Sequence, residues 1–349
     1  MKALRFYQQR TVRLETVPMP TIETVDDVIV RIKAAGICGS DVSRYAKLGP
    51  HQAGITFGHE GGGVVVARGT NVTAIEVGDH VAICPSQPCQ TCQACLRGQY
   101  SQCDQMLVLG AQLPGVFADY VCVPQKMLIP IPQTMPFDEL AFVEPTAVVL
   151  HGLLKTELRP GSTVAVIGCG TIGLLAIQWA RIFGAKMIHA FDIDQMKLQL
   201  ATTVGAHQTY QSQEATTTLA AFQQQTNTAG VDLVIEASGS PVATEQAFAY
   251  AKRGGELLLL GIPYADVTLH RSFFEKIMRH ELTIKGSWHS MSAPFPGQAY
   301  HTSIHFLNRQ QLKVAPLITH RIGLSDLPAM FERIVSDKEI VGKVIIYPE

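Results

Sequence analysis

Four cysteines, Cys89, Cys92, Cys95 and Cys103, stand in the spacing C-x2-C-x2-C-x7-C. Thiolates this close in the chain suit a tetrahedral Zn²⁺ with bonds of about 2.3 Å, a closed structural site. The segment around them, Pro85 to Leu107, has little apolar content. It cannot order itself by burial, so bound metal must supply the ordering energy. An iron–sulfur cluster opens with a similar C-x2-C-x2-C, but its usual fourth spacing and following proline are missing here. Disulfides would need an oxidising compartment.

A second set of residues could leave a metal with an open position. Cys38 lies in Gly-Ile-Cys-Gly-Ser-Asp, His59 and Glu60 in Phe-Gly-His-Glu-Gly-Gly-Gly, and Glu144 in Phe-Val-Glu-Pro. Each alone is unremarkable, since a single cysteine beside glycine is more often core than ligand. Together they offer one thiolate, one imidazole and two carboxylates, a mixture that borderline Zn²⁺ accepts. Three protein ligands and a water would leave room for a substrate oxygen.

A third stretch could hold a dinucleotide. Gly168, Gly170 and Gly173 form G-x-G-x-x-G between a β-branched run, Thr163–Ile167, and an apolar stretch of helical period, Ile172–Phe183. Gly168 permits the tight turn, Gly170 lets a pyrophosphate approach the backbone, and Gly173 lets helix and strand pack closely. The free N–H groups at the helix start suit a phosphate, so Thr171 and Ile172 join the candidate set. A second strand, Met187–Phe191, leads to Asp192, 24 residues after Gly168, with Lys197 just beyond it. A carboxylate at Asp192 would accept hydrogen bonds from ribose hydroxyls and repel a 2′-phosphate, which points to NAD rather than NADP. The competing reading is an ordinary strand–turn–helix that binds nothing.

The elements that must position these groups fall into two patterns. Residues 1 to about 145 are β-rich: Val28–Lys33 and Gly63–Ala67 alternate with period two, and Val77–Ile83 reads as a turn followed by a strand. Ala141–Lys155 reads as a long connecting helix. From Ser162 strands and helices alternate: strands at Val164–Ile167, Met187–Phe191, His207–Tyr210, Val231–Glu236, Glu256–Gly261 and Leu282–Gly286, with helices at Gln195–Val204, Glu214–Thr226 and Val242–Lys252. That alternation predicts an α/β fold with a Rossmann-type, doubly wound parallel sheet. A helix at Ala299–Arg309, a strand at Leu317–Ile322, a helix at Ser325–Ser336 and a strand at Lys343–Tyr347 would then return to the first domain. The division is 1–145 with 289–349 as a catalytic domain carrying a zinc lobe at 85–107, and 146–288 as an inserted nucleotide-binding domain.

Bulk properties narrow the function classes. The 349 residues allow about two domains and a sizeable core. A net charge of −1, with 16% of residues charged, argues against nucleic acid or a membrane surface as the main partner. No apolar run approaches about 18 residues. The first ten residues lack the apolar core of a signal peptide. Eight cysteines in such a chain read as thiols or metal ligands, and the expected location is the cytoplasm.

Cys38-Gly-Ser-Asp, Gly58-His-Glu, the four-cysteine segment, Glu144-Pro and the glycine turn occur in an order that resembles the zinc-dependent medium-chain dehydrogenase/reductase family, in its polyol dehydrogenase branch. The resemblance covers essentially the whole chain. It implies a GroES-like catalytic domain, two Zn²⁺ per chain, NAD, and a homodimer or homotetramer paired through the sixth strand of the nucleotide domain. It also implies that Cys38, His59 and a glutamate hold the catalytic zinc; Glu60 and Glu144 both match family glutamates, and either could ligate directly or through water. The residue matching Ser40 relays the alcohol proton. Some relatives end that relay in a histidine where Ser43 stands here, and His51 is a substitute or a surface residue.

Leu282–Trp288, Ser292–Gln298, Arg44 and Tyr100-Ser-Gln-Cys are similar to enzymes of polyol phosphates of the galactitol-1-phosphate type, whose product would be tagatose 6-phosphate; arabitol-phosphate enzymes share much of the pattern. Arg44 is the leading candidate for the substrate phosphate, ahead of Lys47, Arg271, Lys276, Arg279 and His280, any of which could be plain surface charge. The alternatives are a sorbitol-, xylitol- or threonine-type dehydrogenase on an unphosphorylated substrate and, more remotely, a zinc-less quinone reductase or non-catalytic relative. Mn²⁺ at the catalytic site is compatible with the ligand set.

Overall fold

The computed structural model describes residues 1–349 apart from 337, 338, 340, 341 and 349. The chain divides into two compact units, one made of Met1–Ala147 with His289–Glu349 and the other of Val148–Trp288. The helix Phe137–Leu153 carries the chain out of the first and into the second. It begins four residues before the expected Ala141, with Asp138 and Glu139 in its first turn, where carboxylates favour the helix N-terminus.

The first unit is built on a seven-stranded sheet. Its centre is Asp27–Gly36, which pairs antiparallel with Glu60–Arg68 on one side and Lys343–Tyr347 on the other. Ile318–Gly323 pairs parallel to the last of these. The C-terminal strand thus lies between a strand from the first forty residues and one laid down three hundred residues later. Its register sets Ile345 opposite Gly36, and Gly36 opposite Glu60. Gly36 leaves room for the Lys343 and Glu60 side chains, since a methyl group at its Cα would sit 2.5 Å from Lys343 Cε and 2.7 Å from a Glu60 carboxylate oxygen. Val30 of the central strand is buried in one core with Leu4 and Phe6 of the strand Lys2–Gln8, Phe57, Phe117 and Phe331 of the helix Leu327–Val335, where Phe57 and Phe117 meet edge to face at 6.0 Å and 88°. Cys84 is buried, and Cys122 is half-buried on the strand Tyr120–Pro124.

The second unit is a six-stranded, fully parallel sheet in the order Gln208–Gln211, Met187–Asp192, Thr163–Ile167, Val231–Glu236, Ala251–Leu259 and Thr283–Gly286. That is the doubly wound 3-2-1-4-5-6 order the alternation predicts. Phe191, Tyr210, Phe222 and Tyr250 fill one side of it, with Phe191 stacked on Tyr210 at 4.6 Å and Phe222 edge-on to Tyr250 at 5.0 Å.

Two details differ from expectation. The helix foreseen at Val242–Lys252 ends at Tyr250, and the next strand starts at Ala251 rather than Glu256. A register shift against Val231–Leu233 absorbs Gly254 and Gly255, the first with φ +68°, so the strand is bulged rather than short. Residues Arg271–Arg279 form a helix that the sequence reading left as a basic segment. It buries none of its residues, and its Arg271–Glu275 and Glu275–Arg279 pairs are spaced i, i+4. Among the described residues no helix is long and apolar enough to cross a membrane.

Candidate metal centres and dinucleotide turn

Cys38 closes the strand Asp27–Gly36 at the N-cap of the short helix Gly39–Ser43. His59 follows Gly58, whose φ of +90° and tight approach to the Phe117 ring admit only glycine. Glu60 opens the next strand opposite Gly36. These three segments bring ligand atoms of Cys38, His59 and Glu60 within 4.8 Å of one another. Glu144 is not a member of that group. It is buried on the helix Phe137–Leu153, and burial pushes its carboxyl up to about 7; His59 opposes this and Glu60 adds to it.

Two further groups complete the centre. Asp41 is 1% exposed. One of its oxygens accepts the Cys38 backbone N–H at 3.0 Å and the other lies 3.3 Å from His59 Nδ1. A carboxylate on one ring nitrogen orients the imidazole and raises the basicity of the other, the usual support for a metal-bound histidine. Lys343 is also 1% exposed. Its ammonium pairs with Glu60 and donates to the Ile37 carbonyl at 3.2 Å. Burial raises the Glu60 carboxyl, with Lys343 and His59 pulling the other way. Burial disfavours charge on His59, but Asp41 and Cys38 outweigh it and hold the imidazole well above its ordinary value. Asp41 stood in a segment noted for its cysteine, and the lysine at the head of an apolar strand was the one available sign of Lys343. His289 carried no such sign; its Nδ1 lies 3.2 Å from Ser86 Oγ, and burial together with His59 holds it down to about 4. The donor set fits Zn²⁺: Asp41, Glu60 and Glu144 place three carboxyls around a thiol and an imidazole against one ammonium, a balance that a divalent cation restores.

The second cluster is the lobe. The Sγ atoms of Cys89, Cys92, Cys95 and Cys103 also lie within 4.8 Å of one another. Cys89 and Cys95 are 3.9 Å apart, close to the ~3.8 Å edge of a tetrahedron with bonds of about 2.3 Å. Backbone N–H groups of Cys89, Cys92 and Gln105 donate to sulfurs at 3.2 to 3.4 Å, as suits thiolates. The Thr91 hydroxyl and nearby N–H groups pull Cys89 down to about 6, while burial pushes Cys95 up to about 12. The lobe is anchored at its far end. Ser101 Oγ donates to the Met291 carbonyl at 3.0 Å, and the Tyr100 and Phe295 rings meet edge-on at 5.9 Å. Tyr100-Ser-Gln-Cys and Ser292–Gln298, far apart in sequence, are therefore neighbours.

In the second unit Gly168 has φ +89° and a methyl there would collide with Ser238; around Gly170 nothing lies within 4 Å of the corresponding point. The turn is tight at its first glycine and open at its second, as a pyrophosphate cradle needs. Thr171 and Ile172 open the helix Thr171–Ile182. Asp192 accepts the Cys169 N–H at 2.7 Å and the Asp194 N–H at 2.9 Å. One of its oxygens thus braces the turn itself, a duty the sequence reading had not assigned. Lys197 lies on the next helix, close enough for its charge to act on Cys169.

Residues 24–133 match the alcohol dehydrogenase GroES-like domain, and residues 171–307 match the zinc-binding dehydrogenase domain. Galactitol 1-phosphate 5-dehydrogenase of Escherichia coli K12 is 39% identical over 340 residues, 97% of each chain. The chain belongs to the zinc-binding alcohol dehydrogenase family. Among solved structures, galactitol-1-phosphate dehydrogenase from Escherichia coli superposes with a TM-score of 0.94 at 37% identity over all of both chains. A zinc-binding dehydrogenase from Sinorhizobium meliloti 1021, bound to NADP, superposes at 0.89 with 30% identity over 99% of each.

In this zinc-binding dehydrogenase the residues beyond Cys38 sort by exposure. Ser40 is exposed and Ser43 and Arg44 are half-buried. Arg44 Nη1 donates to the Gly49 carbonyl at 3.1 Å, and burial lowers the guanidinium pKa against the pull of Asp41. His51 is exposed and is lowered by partial burial and by Arg44. Arg271 and Arg279 each pair with Glu275, at 2.8 and 3.0 Å.

Proposed function

We propose that this chain is an NAD-linked dehydrogenase of a polyol phosphate, oxidising a secondary alcohol to a ketose phosphate, with galactitol 1-phosphate to tagatose 6-phosphate as the first candidate reaction. The observation that carries the substrate reading is the 39% identity to galactitol 1-phosphate 5-dehydrogenase across 97% of both chains. Arg44 supports it as a half-buried guanidinium six residues after Cys38, with one N–H engaged by Gly49.

In this reading Cys38, His59 and Glu60 hold the catalytic zinc, Glu144 stands beside them, and the four-cysteine lobe holds the structural one. Zinc bound there would lower the pKa of a substrate hydroxyl, and the nicotinamide would supply the hydride acceptor. Asp41 keeps His59 in one orientation, Lys343 offsets the charge of Glu60, and exposed Ser40 takes the substrate's hydroxyl proton and passes it to solvent. Gly168, Gly170, Thr171, Ile172 and Gly173 take the pyrophosphate at the helix start. Asp192 accepts from the ribose hydroxyls and disfavours a 2′-phosphate, with Lys197 beside it. Ile284 and Trp288 are exposed at and beyond the edge strand Thr283–Gly286, which supports a homo-oligomer paired along that edge. Eight cysteines, none in a disulfide, fit the reducing cytoplasm.

The test is NAD reduction over free and phosphorylated C5–C6 polyols by the wild type, Arg44→Ala and Cys38→Ser. We expect Arg44→Ala to lose about 10- to 100-fold in kcat/KM for galactitol 1-phosphate, the worth of a charged hydrogen-bond pair, and to leave galactitol unchanged. Cys38→Ser should lose turnover with its fold intact. Equal losses on both substrates remove Arg44 from the phosphate site, and wild-type preference for an unphosphorylated polyol overturns the substrate reading.

A further inference from the structure

A cavity of about 450 Å³ opens at the amino ends of the strands Val231–Glu236 and Ala251–Leu259. The glycine turn follows the carboxyl end of Thr163–Ile167, whose last residue pairs with Glu236. The five residue steps from Val231 to Glu236, at about 3.3 Å each, put the cavity roughly 17 Å from the dinucleotide turn, at the opposite end of the same sheet.

Two separate segments bring basic groups to this cavity. Lys252 and Arg253 come from the bulged start of a strand, and Lys276 and His280 from the end of the helix Arg271–Arg279. Among the described residues that line it there is no carboxylate. Asp232 is a counter-charge beside it: it pairs with Lys252 and also accepts from the Thr163 N–H and hydroxyl, both at 2.6 Å. The other two cations are held by carbonyls. Arg253 Nη1 donates to Arg279 at 2.8 Å, and Lys276 Nζ donates to Ala249 at 3.3 Å. Each of these contacts uses one donor of a fork with five or an ammonium with three. The anchored groups are therefore pre-positioned, with further donors to offer.

His280 marks what is missing. Its Nδ1 is buried and has no hydrogen-bond partner among the described residues. Burial, Arg253 and Lys276 all hold the ring below its ordinary pKa, and the ring and both cations line the same cavity. Like charges gathered in a concavity repel unless an anion joins them. Gly230, with φ +77° and no room for a side chain against the Lys252 backbone, keeps the wall open. Phe222 and small alanines line the rest, a surface for a short organic group.

We propose that this cavity is an anion site for a phosphate or small phosphomonoester, separate from the dinucleotide turn and from the substrate's phosphate contact. The test is isothermal titration of the zinc-loaded, NAD-saturated full-length chain carrying Arg44→Ala, with inorganic phosphate and with ribose 5-phosphate at constant ionic strength, against chloride. Saturating NAD and the Arg44 change keep the two other phosphate contacts out of the count. We expect binding of phosphate or its ester that weakens about tenfold or more with Arg253→Gln and Lys276→Gln together, and that survives Arg253→Lys. Binding by inorganic phosphate alone assigns the site to the free anion, and tighter binding of the ester assigns it to a phosphomonoester. With Arg44 intact, the Arg253→Gln/Lys276→Gln chain should keep the dehydrogenase kcat/KM. If the double change prevents folding, Lys276→Gln alone carries the comparison. Heats no greater than those of chloride, or equal affinity with and without the two cations, would overturn the proposal.

Discussion

Lys343 is an ammonium with almost no solvent contact, and it is tied to Glu60 across 283 residues of chain. Removing one partner of such a pair leaves a buried, uncompensated charge. We expect Lys343→Met to cost about 3–5 kcal/mol in metal-stripped protein, and Lys343→Met with Glu60→Gln to recover most of that. Urea unfolding of the four proteins of the cycle measures it; a single-variant cost below about 1 kcal/mol would show that Glu60 is neutral or hydrated without its partner. His189 is the other residue with a clear signature. It is 3% exposed, its Nδ1 is 3.1 Å from the Tyr210 hydroxyl, and burial, with His207 adding, holds it down to about 4 from an ordinary 6.5. Between those values the unfolded chain binds a proton that the folded chain refuses. Stability from this group is therefore present above about pH 6.5 and lost as pH falls towards 4, by up to about 3 kcal/mol. The stability difference between wild type and His189→Asn should shrink across that window, and a difference independent of pH would contradict the assignment.

At the scale of elements, the four-cysteine lobe depends most directly on metal. Its segments are a two-strand pair, Ser86–Gln87 with Leu107–Val108, and one short helix, Gln93–Leu96, which buries little besides Cys95. Among the described residues the four sulfurs close it, helped by the Ser101–Met291 and Tyr100–Phe295 contacts at one edge, so metal binding and local folding are one equilibrium. We expect Cys95→Ser to lose the lobe's zinc, retain the other, and open residues 96–106 to protease, as metal analysis and limited proteolysis would read. A protease-resistant lobe without zinc would assign its order to packing instead. The cysteine spacing made this element legible because a metal lobe is written in near neighbours. The helix Arg271–Arg279 was not legible because its apolar residues, Phe273 and Phe274 with Ile277 and Met278, span under two turns between basic residues, too short a period to stand out, although Phe273 and Ile277 do pack on the aromatic core.

At the scale of the molecule, the two units differ in how the chain builds them. Val148–Trp288 is continuous and has its own aromatic core. The other unit needs both ends of the chain, since Lys343–Tyr347 lies between Asp27–Gly36 and Ile318–Gly323. Ending the chain at residue 341 removes an interior strand together with Lys343. We expect that truncation to abolish the cooperative melt of the first unit, while a fragment of residues 148–288 keeps its far-ultraviolet circular dichroism and binds NAD. Calorimetry of both proteins separates the outcomes, and a truncated chain that melts like the full one would show that the last strand is dispensable.

The sequence by itself determined whatever depends on neighbours: the cysteine spacing, the glycine turn and its acidic partner, and the alternation of strands and helices that dictates a doubly wound sheet. Local period and local ligand spacing survive in a linear string. Only the tertiary structure decided what depends on register. Gly36 opposite Glu60 and Ile345 opposite Gly36 bring Lys343 to the metal centre. They place Glu60 rather than Glu144 with Cys38 and His59. The lobe meets residues 291–295, and four basic groups from two distant segments face one cavity. A single residue's slip in any of those pairings would turn its side chain to the opposite face, and no stretch of sequence records which pairing wins.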